Sequence, residues 1–200
     1  MKRYGIFGGT FNPPHVGHSI LADNMREQLY LDKVIFIPAG VPPLKNTEDM
    51  LSAGHRLNMT KIAFERDQNF EVSDIEIADS LSGKKSYTID TMIKLYNLYK
   101  NDFVKLYLLI GIDNLIDFPK WKDPDKLFAL SEVIVMNRPG FLVQDVDVEF
   151  SRKIRYASVP MLEISSSKIR ESVTEGKSIK YLVFPEVEQY IAENNLYKKT

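Results

Sequence analysis

The chain of 200 residues contains no cysteine, a single tryptophan and only three histidines. Without cysteine there is no disulfide framework and no thiolate redox or metal chemistry, and nothing in the composition argues for secretion. Neither sign of charge is in excess: 26 lysines and arginines face 27 aspartates and glutamates, a formal net charge of -1. A surface so balanced has no general attraction for nucleic acid or an anionic membrane, so an anionic ligand must be held at a local site. No apolar run approaches membrane-spanning length, and Met1 to Phe7 is cut short by Gly8, Gly9 and Pro13 before it could serve as a signal peptide. The expectation is a soluble cytoplasmic protein with neither nucleic-acid nor membrane partners.

The familiar nucleotide and metal signatures are missing as well. G-x-G-x-x-G does not occur, and Gly176-Lys177-Ser178 has Glu171 where a P-loop requires glycine. Neither H-E-x-x-H nor a Cys/His spacing is present, so no residue is assigned to a metal. No repeat, low-complexity tract or interdomain linker divides residues 1–200, and with 44% hydrophobic residues the chain can bury the core of one domain.

What is present is an alternation of strand-like and helix-like stretches. Tyr4 to Phe7 reads as a first strand, Val34 to Ile37 is a short continuous apolar run of the kind buried on both faces of a parallel sheet, and Leu106 to Ile110 and Val133 to Met136 are two more buried-strand candidates. Phe70, Val72, Ile75 and Ile77 suggest a further strand. Helical spacing follows His18 (Ile20, Leu21, Met25, Leu29), returns over Leu57 to Phe64, and starts again near Thr88 with Ile89, Met92, Ile93, Tyr96 and Tyr99. Pro124 to Leu130 reads as a short helix with Asp123 as its cap, residues 165 to 167 as a serine-rich helix start, and Pro185 to Leu196 as an amphipathic segment. This order indicates an α/β fold, a single Rossmann-like domain whose largely parallel sheet is flanked by helices. In such sheets ligands bind beyond the carboxyl ends of the strands, near the switch in strand order.

Gly8-Gly9-Thr10-Phe11-Asn12-Pro13-Pro14-His15-Val16-Gly17-His18 falls between the first strand and the first helix. The glycines admit a ligand close to the backbone, Thr10 adds a hydroxyl, and the helix start adds partial positive charge. His15 and His18, three residues apart, can present their imidazoles to one side. The pair can be a metal site, an ordinary helix entry, or two hydrogen-bond donors aimed at an anion. A second stretch bears on the choice: Ile164-Ser165-Ser166-Ser167-Lys168-Ile169-Arg170 gathers hydroxyls and an arginine at a helix start, a plain N-cap or a phosphate grip. Two such sites can hold a triphosphate from two sides.

The ordered set of H-x-G-H after G-G-T-F-N-P, with I-S-S-S-K-I-R, resembles the H-x-G-H nucleotidyltransferases. Ser86-Tyr87-Thr88-Ile89-Asp90-Thr91, Leu109-Ile110-Gly111-Ile112-Asp113, Trp121-Lys122 and Asn137-Arg138-Pro139 are similar, within them, to the bacterial nicotinate mononucleotide adenylyltransferases, almost end to end. The resemblance implies transfer of AMP from ATP to nicotinate mononucleotide, giving deamido-NAD and pyrophosphate with magnesium accompanying ATP. It assigns His15, His18, Lys45 and Arg170 to the reaction, with Ser166 beside them. ATP would meet Gly8, Gly9, Thr10, Phe11, Gly111, Asp113, Ile164, Ser165, Ser166, Ser167 and Arg170. The acceptor would meet Gly40, Lys45, Ser86, Tyr87, Thr88, Trp121 and Arg138. Trp121 is then a stacking face for the pyridine ring, and Tyr87 and Thr88 open a helix toward the nicotinate carboxylate. One departure stands out: Pro42-Pro43-Leu44-Lys45 has leucine where the family often has histidine, so Lys45 is left to carry the charge alone. Two alternatives stay open, the same chemistry on another phosphate acceptor such as phosphopantetheine, and a non-catalytic nucleotide sensor. Homo-oligomerisation is compatible with all three.

Overall fold

In the computed structural model, which describes residues 1–43, 50–80, 83–137, 150 and 152–198, six strands stack in the order β3-β2-β1-β4-β5-β6. They are β1 (Lys2–Gly9), β2 (Lys33–Pro38), β3 (Phe70–Val72), β4 (Val104–Gly111), β5 (Glu132–Asn137) and β6 (Arg155–Ser158). All pairings are parallel; Ile6, for example, lies opposite Ile35 on one side and Leu108 on the other. Parallel neighbours cannot be joined by tight turns. The described connections carry helices α1 (Val16–Gln28), α2 (Ala53–Phe64), α3 (Ile75–Ser80), α4 (Thr88–Tyr99), α5 (Ile112–Asp117) and α6 (Pro124–Leu130), and α7 (Ser166–Thr174) and α8 (Pro185–Glu193) close the chain. The expected Rossmann-like α/β fold is the one found.

The apolar runs are continuous because both faces of the sheet are covered. Val34 and Phe36 of β2, Tyr107 and Leu109 of β4, and Ile134 and Met136 of β5 point into one core, packed by Met25 of α1, Phe64 of α2, Ile169 of α7 and Val187 of α8. Their neighbours Ile35, Ile37, Leu108, Ile110, Val133 and Val135 point into the other, packed by Met92 of α4, Leu115 of α5 and Leu127 of α6. A one-residue slip in register would exchange the two cores, so the register is strongly specified.

Three local readings need correction. Ile75 and Ile77 are helical, not part of the strand that ends at Val72: Phe36 takes the Ser73 N–H, and Ala78 then donates to the Asp74 carbonyl at 2.9 Å, beginning α3. Asp123 does precede α6 but caps nothing with its side chain; its backbone is left-handed and its carboxylate takes the Lys126 ammonium at 2.8 Å. β6 has no counterpart in the sequence reading, because four residues of which only Ala157 is buried carry little periodic signal.

Between β1 and β4 the winding reverses, the chain having first moved outward to β2 and β3. The carboxyl ends of these two strands therefore splay away from one another and leave a crevice.

Candidate active site

Two adjoining cavities occupy that crevice, of about 640 and 190 Å³, and both are bordered by Gly8, Gly9, Thr10, Gly111 and Asn114. A Cβ at Gly8 would meet no atom within 4 Å, so any side chain there would project into the space where the cavities join. Phe11, beyond the rim, holds the left-handed backbone conformation at φ 49° while its ring is buried. That is an uncommon state for a bulky residue and one met at ligand sites.

In the larger cavity His15 and His18 lie face to face, ring centroids 3.6 Å apart and planes inclined by 25°. The arrangement is set locally. His15 is the N-cap of α1 in extended conformation, its N–H donates to His18 Nδ1 at 3.1 Å, and the His18 N–H returns to the His15 carbonyl at 3.0 Å. A ring nitrogen that accepts cannot also carry a proton, so in this arrangement His18 is the neutral tautomer with Nε2–H as its donor. Gly17 explains the spacing: a Cβ there would stand 3.0 Å from His15 Nδ1 and push the ring out of the stack. The Phe11 ring meets His18 edge-on at 5.0 Å, which fixes the imidazole from the core side. The Val16 N–H, which a helix start would offer to a ligand, is taken by the Leu182 carbonyl at 3.0 Å.

The serine-rich start faces the same cavity. Ser165 caps α7, its hydroxyl accepting from the Lys168 N–H at 3.2 Å, and helix geometry leaves the N–H groups of Ser166 and Ser167 without an intrahelical partner. The Ser166 hydroxyl donates to the Pro13 carbonyl at 2.7 Å, and the Arg170 guanidinium to the Asn12 carbonyl at 3.0 Å. These two bonds tie the late motif to the early one across more than 150 residues. Ile164 and Ser165 to Ser167 line the cavity with Arg170, and Asp113, exposed in the first turn of α5, is the one carboxylate among its described lining residues.

The smaller cavity is walled by Ser86, Tyr87, Thr88 and Trp121. Tyr87 is the N-cap of α4 and makes no side-chain cap bond, so Thr88 is the first helical residue and not a cap. The helix thus opens on the cavity with N–H groups that no side chain of its own covers. Trp121 packs one side on Phe118, ring centroids 5.2 Å apart, and stays half-buried at the cavity edge. Lys122 bonds both oxygens of Asp90, at 2.9 and 3.0 Å, and sits 5.0 Å over the Tyr87 ring; the Asp90 bond holds the ammonium above the usual lysine range. Ser86 and Val41 exchange two bonds, Val41 N–H to the hydroxyl at 3.1 Å and Ser86 N–H to the carbonyl at 2.9 Å, so Ser86 stitches the wall.

Most residues picked from the sequence converge here, with exceptions. Gly40 lines neither cavity and lies behind the wall with its carbonyl bonded to Arg56. Lys45, Leu44 and Arg138 lie outside the described residues. Sequence reasoning missed Glu76 of α3, which lines the smaller cavity and accepts from the Thr91 hydroxyl at 2.7 Å, because it sat in a stretch read as strand. It also missed Tyr197, whose hydroxyl donates to Asn12 Oδ1 at 2.9 Å across 185 residues, a contact no local pattern announces. Among the described residues no group of three or more His, Asp or Glu could hold a metal, and no helix is long and apolar enough to cross a membrane.

Residues 6–172 match the family model described as cytidylyltransferase-like. The chain is 38% identical to the nicotinate-nucleotide adenylyltransferase of Bacillus subtilis, over 99% of this chain and 100% of that one. It is 42% identical to the probable nicotinate-nucleotide adenylyltransferase of Shouchella clausii, over 98% and 97%. Among solved structures, the nicotinic acid mononucleotide adenylyltransferase of Plasmodium falciparum complexed with NaAD superposes with a TM-score of 0.77 over 98% of each chain, at 23% identity. That likeness supports the fold.

Proposed function

Since the chain belongs to the cytidylyltransferase-like family and, within it, to the nicotinate-nucleotide adenylyltransferases, we propose that it transfers the adenylyl group of ATP to nicotinate mononucleotide, forming deamido-NAD and releasing pyrophosphate. One observation carries the reading: two cavities share a glycine rim at the switch point, one furnished with phosphate donors and the other with an aromatic face and an open helix start. ATP takes the larger cavity and the pyridine ring the smaller, so that the two phosphates meet over Gly8 to Thr10.

The chemistry suits these side chains. The second pKa of a phosphate monoester is near ~6, so the acceptor is already mostly dianionic at neutral pH and needs no general base. Its oxygen attacks the α-phosphorus in line as the bond to pyrophosphate breaks, and the chain's task is alignment and stabilisation of charge on the transferring and departing groups. His18 donates from Nε2 to the α-phosphate region. Arg170 and the N–H groups of Ser166 and Ser167 take the departing phosphates. Asp113, in the lining of the larger cavity, accepts from ribose hydroxyls. Magnesium accompanying ATP would neutralise part of the triphosphate charge, and with one carboxylate in the described lining its ligands would be mainly phosphate and water. The acceptor's carboxylate faces the start of α4, and the pyridine lies on Trp121.

The test is a pyrophosphate-release assay with ATP and a panel of nicotinate mononucleotide, nicotinamide mononucleotide and phosphopantetheine, with the products identified by mass. Formation of deamido-NAD is expected; release only with phosphopantetheine, or with none of the three, rejects the reading.

A further inference from the structure

Arg56 of α2 is 0% exposed; it forms no ion pair among the described residues, and the Glu76 carboxylate favours its charged form only from a distance. A guanidinium stays charged and buried only where its donors are satisfied. Here each of its three nitrogens has a main-chain carbonyl: Nε donates to Leu51 at 3.1 Å, one terminal nitrogen to Thr10 at 3.0 Å and the other to Gly40 at 2.9 Å. These carbonyls belong to three separate stretches. Thr10 stands on the rim shared by both cavities, Gly40 follows Ala39 in the wall of the smaller one, and Leu51 leads into α2 beside Met50 of the larger. Within the same helix the Thr60 hydroxyl donates to the Arg56 carbonyl at 2.6 Å.

We propose that Arg56 is a positioning residue for adenylyl transfer, its rigid fork setting the distance between the loop that carries ATP and the loop that carries the acceptor. This rests on the function proposed above. The side chain reaches neither cavity, so it touches neither substrate. Its effect lies in the alignment of one against the other, where a displacement of about 1 Å remote from the chemistry can cost on the order of 100-fold in rate. A lysine at this position would keep the charge but offer a point donor without the planar fork, and would not hold Thr10 and Gly40 at a set spacing.

The proposal is tested with Arg56→Lys and Arg56→Met in the full-length protein. Thermal unfolding identifies folded variants, titration calorimetry measures binding of a non-hydrolysable ATP analogue and of nicotinate mononucleotide separately, and kcat is measured with both substrates saturating. The expected result is a fall in kcat on the order of 100-fold in each folded variant, with the binding of either substrate alone close to that of the wild type. Three outcomes overturn it: wild-type kcat in Arg56→Lys, which would make charge and not the fork the requirement; loss of binding with kcat preserved; or failure of both variants to fold, which would place Arg56 in the fold alone. A wild type that forms no deamido-NAD overturns the functional reading and this proposal with it, whereas an active wild type with an equally active variant overturns only the role of Arg56.

Discussion

At His18 the His15 N–H occupies Nδ1, so only Nε2 is available to a phosphate oxygen, and the edge-on Phe11 ring keeps that nitrogen in place. A donor held this way acts on charge that develops during the reaction more than on the ground state. His18→Ala is therefore expected to lower kcat by about 10² to 10³ while ATP binding changes little. Turnover near that of the wild type at saturating ATP would remove His18 from the reaction. Arg170 has a different balance, because its guanidinium both faces the larger cavity and holds the Asn12 carbonyl. Arg170→Ala removes a charge-assisted contact and is expected to raise the KM for ATP by about tenfold or more, as loss of an ionic hydrogen bond generally does. An unchanged dependence of rate on ATP would leave the arginine as a loop anchor only.

Among the elements, α4 and the Trp121 segment are those proposed to decide which acceptor is used. An N-cap tyrosine without a side-chain bond leaves the first N–H groups of α4 to the ligand, and a carboxylate satisfies such donors where a carboxamide brings further donors against them. Unpaired polar groups can separate analogues by powers of ten, so strong preference for nicotinate over nicotinamide mononucleotide is expected. Glu76 in the same cavity, accepting from the Thr91 hydroxyl, works against an acid there, a cost that the donors at the start of α4 must outweigh. If Trp121 serves both rings by stacking, as proposed, Trp121→Ala should weaken both acceptors and keep their ratio of kcat/KM. Equal use of acid and amide by the wild type, or a ratio that collapses with the tryptophan, would reject this division of roles. The elements were legible to the extent that local pattern decides them. β1, β2, β4 and β5 are buried on both faces and read as unbroken apolar runs, and the glycine-histidine motif at the end of β1 fell at the switch point as parallel topology requires. α3 was misread because Ile75 and Ile77 alternate like a strand, while the helix start is set by the Asp74 carbonyl. The bond between Arg56 and Gly40 was beyond reach because the chain folds them together from separate stretches; Arg56 looks in sequence like any surface arginine of an amphipathic helix.

Across the whole molecule, the last described turn closes on the first motif. Thr174 donates to the Tyr197 carbonyl at 2.8 Å, and the Tyr197 hydroxyl donates to Asn12 Oδ1, so the end of the chain supports the loop that Arg170 grips by its main chain. Burial pushes the Tyr197 hydroxyl well above the ordinary tyrosine range, the nearby Arg170 and Arg56 charges offsetting only part of it. The sign follows from proton counting. An unfolded tyrosine loses its proton near pH ~10, whereas the folded one keeps it to higher pH, so above pH ~10 the folded state binds the extra proton and stability falls as pH rises. Tyr99 and Tyr156, raised by burial, and Lys105, raised chiefly by its bond to Glu132, act in the same direction. Tyr197 alone can contribute up to about 1.4 kcal/mol per pH unit in that window and nothing below it. Tyr197→Phe removes its share. The variant should be about 1 kcal/mol less stable near neutral pH, for the lost bond to Asn12, yet should lose stability less steeply than the wild type above pH ~10. Urea unfolding of both proteins at a series of pH values between ~8 and ~11 measures the two slopes directly, and parallel curves throughout would mean that Tyr197 titrates in the folded protein as it does in the unfolded chain.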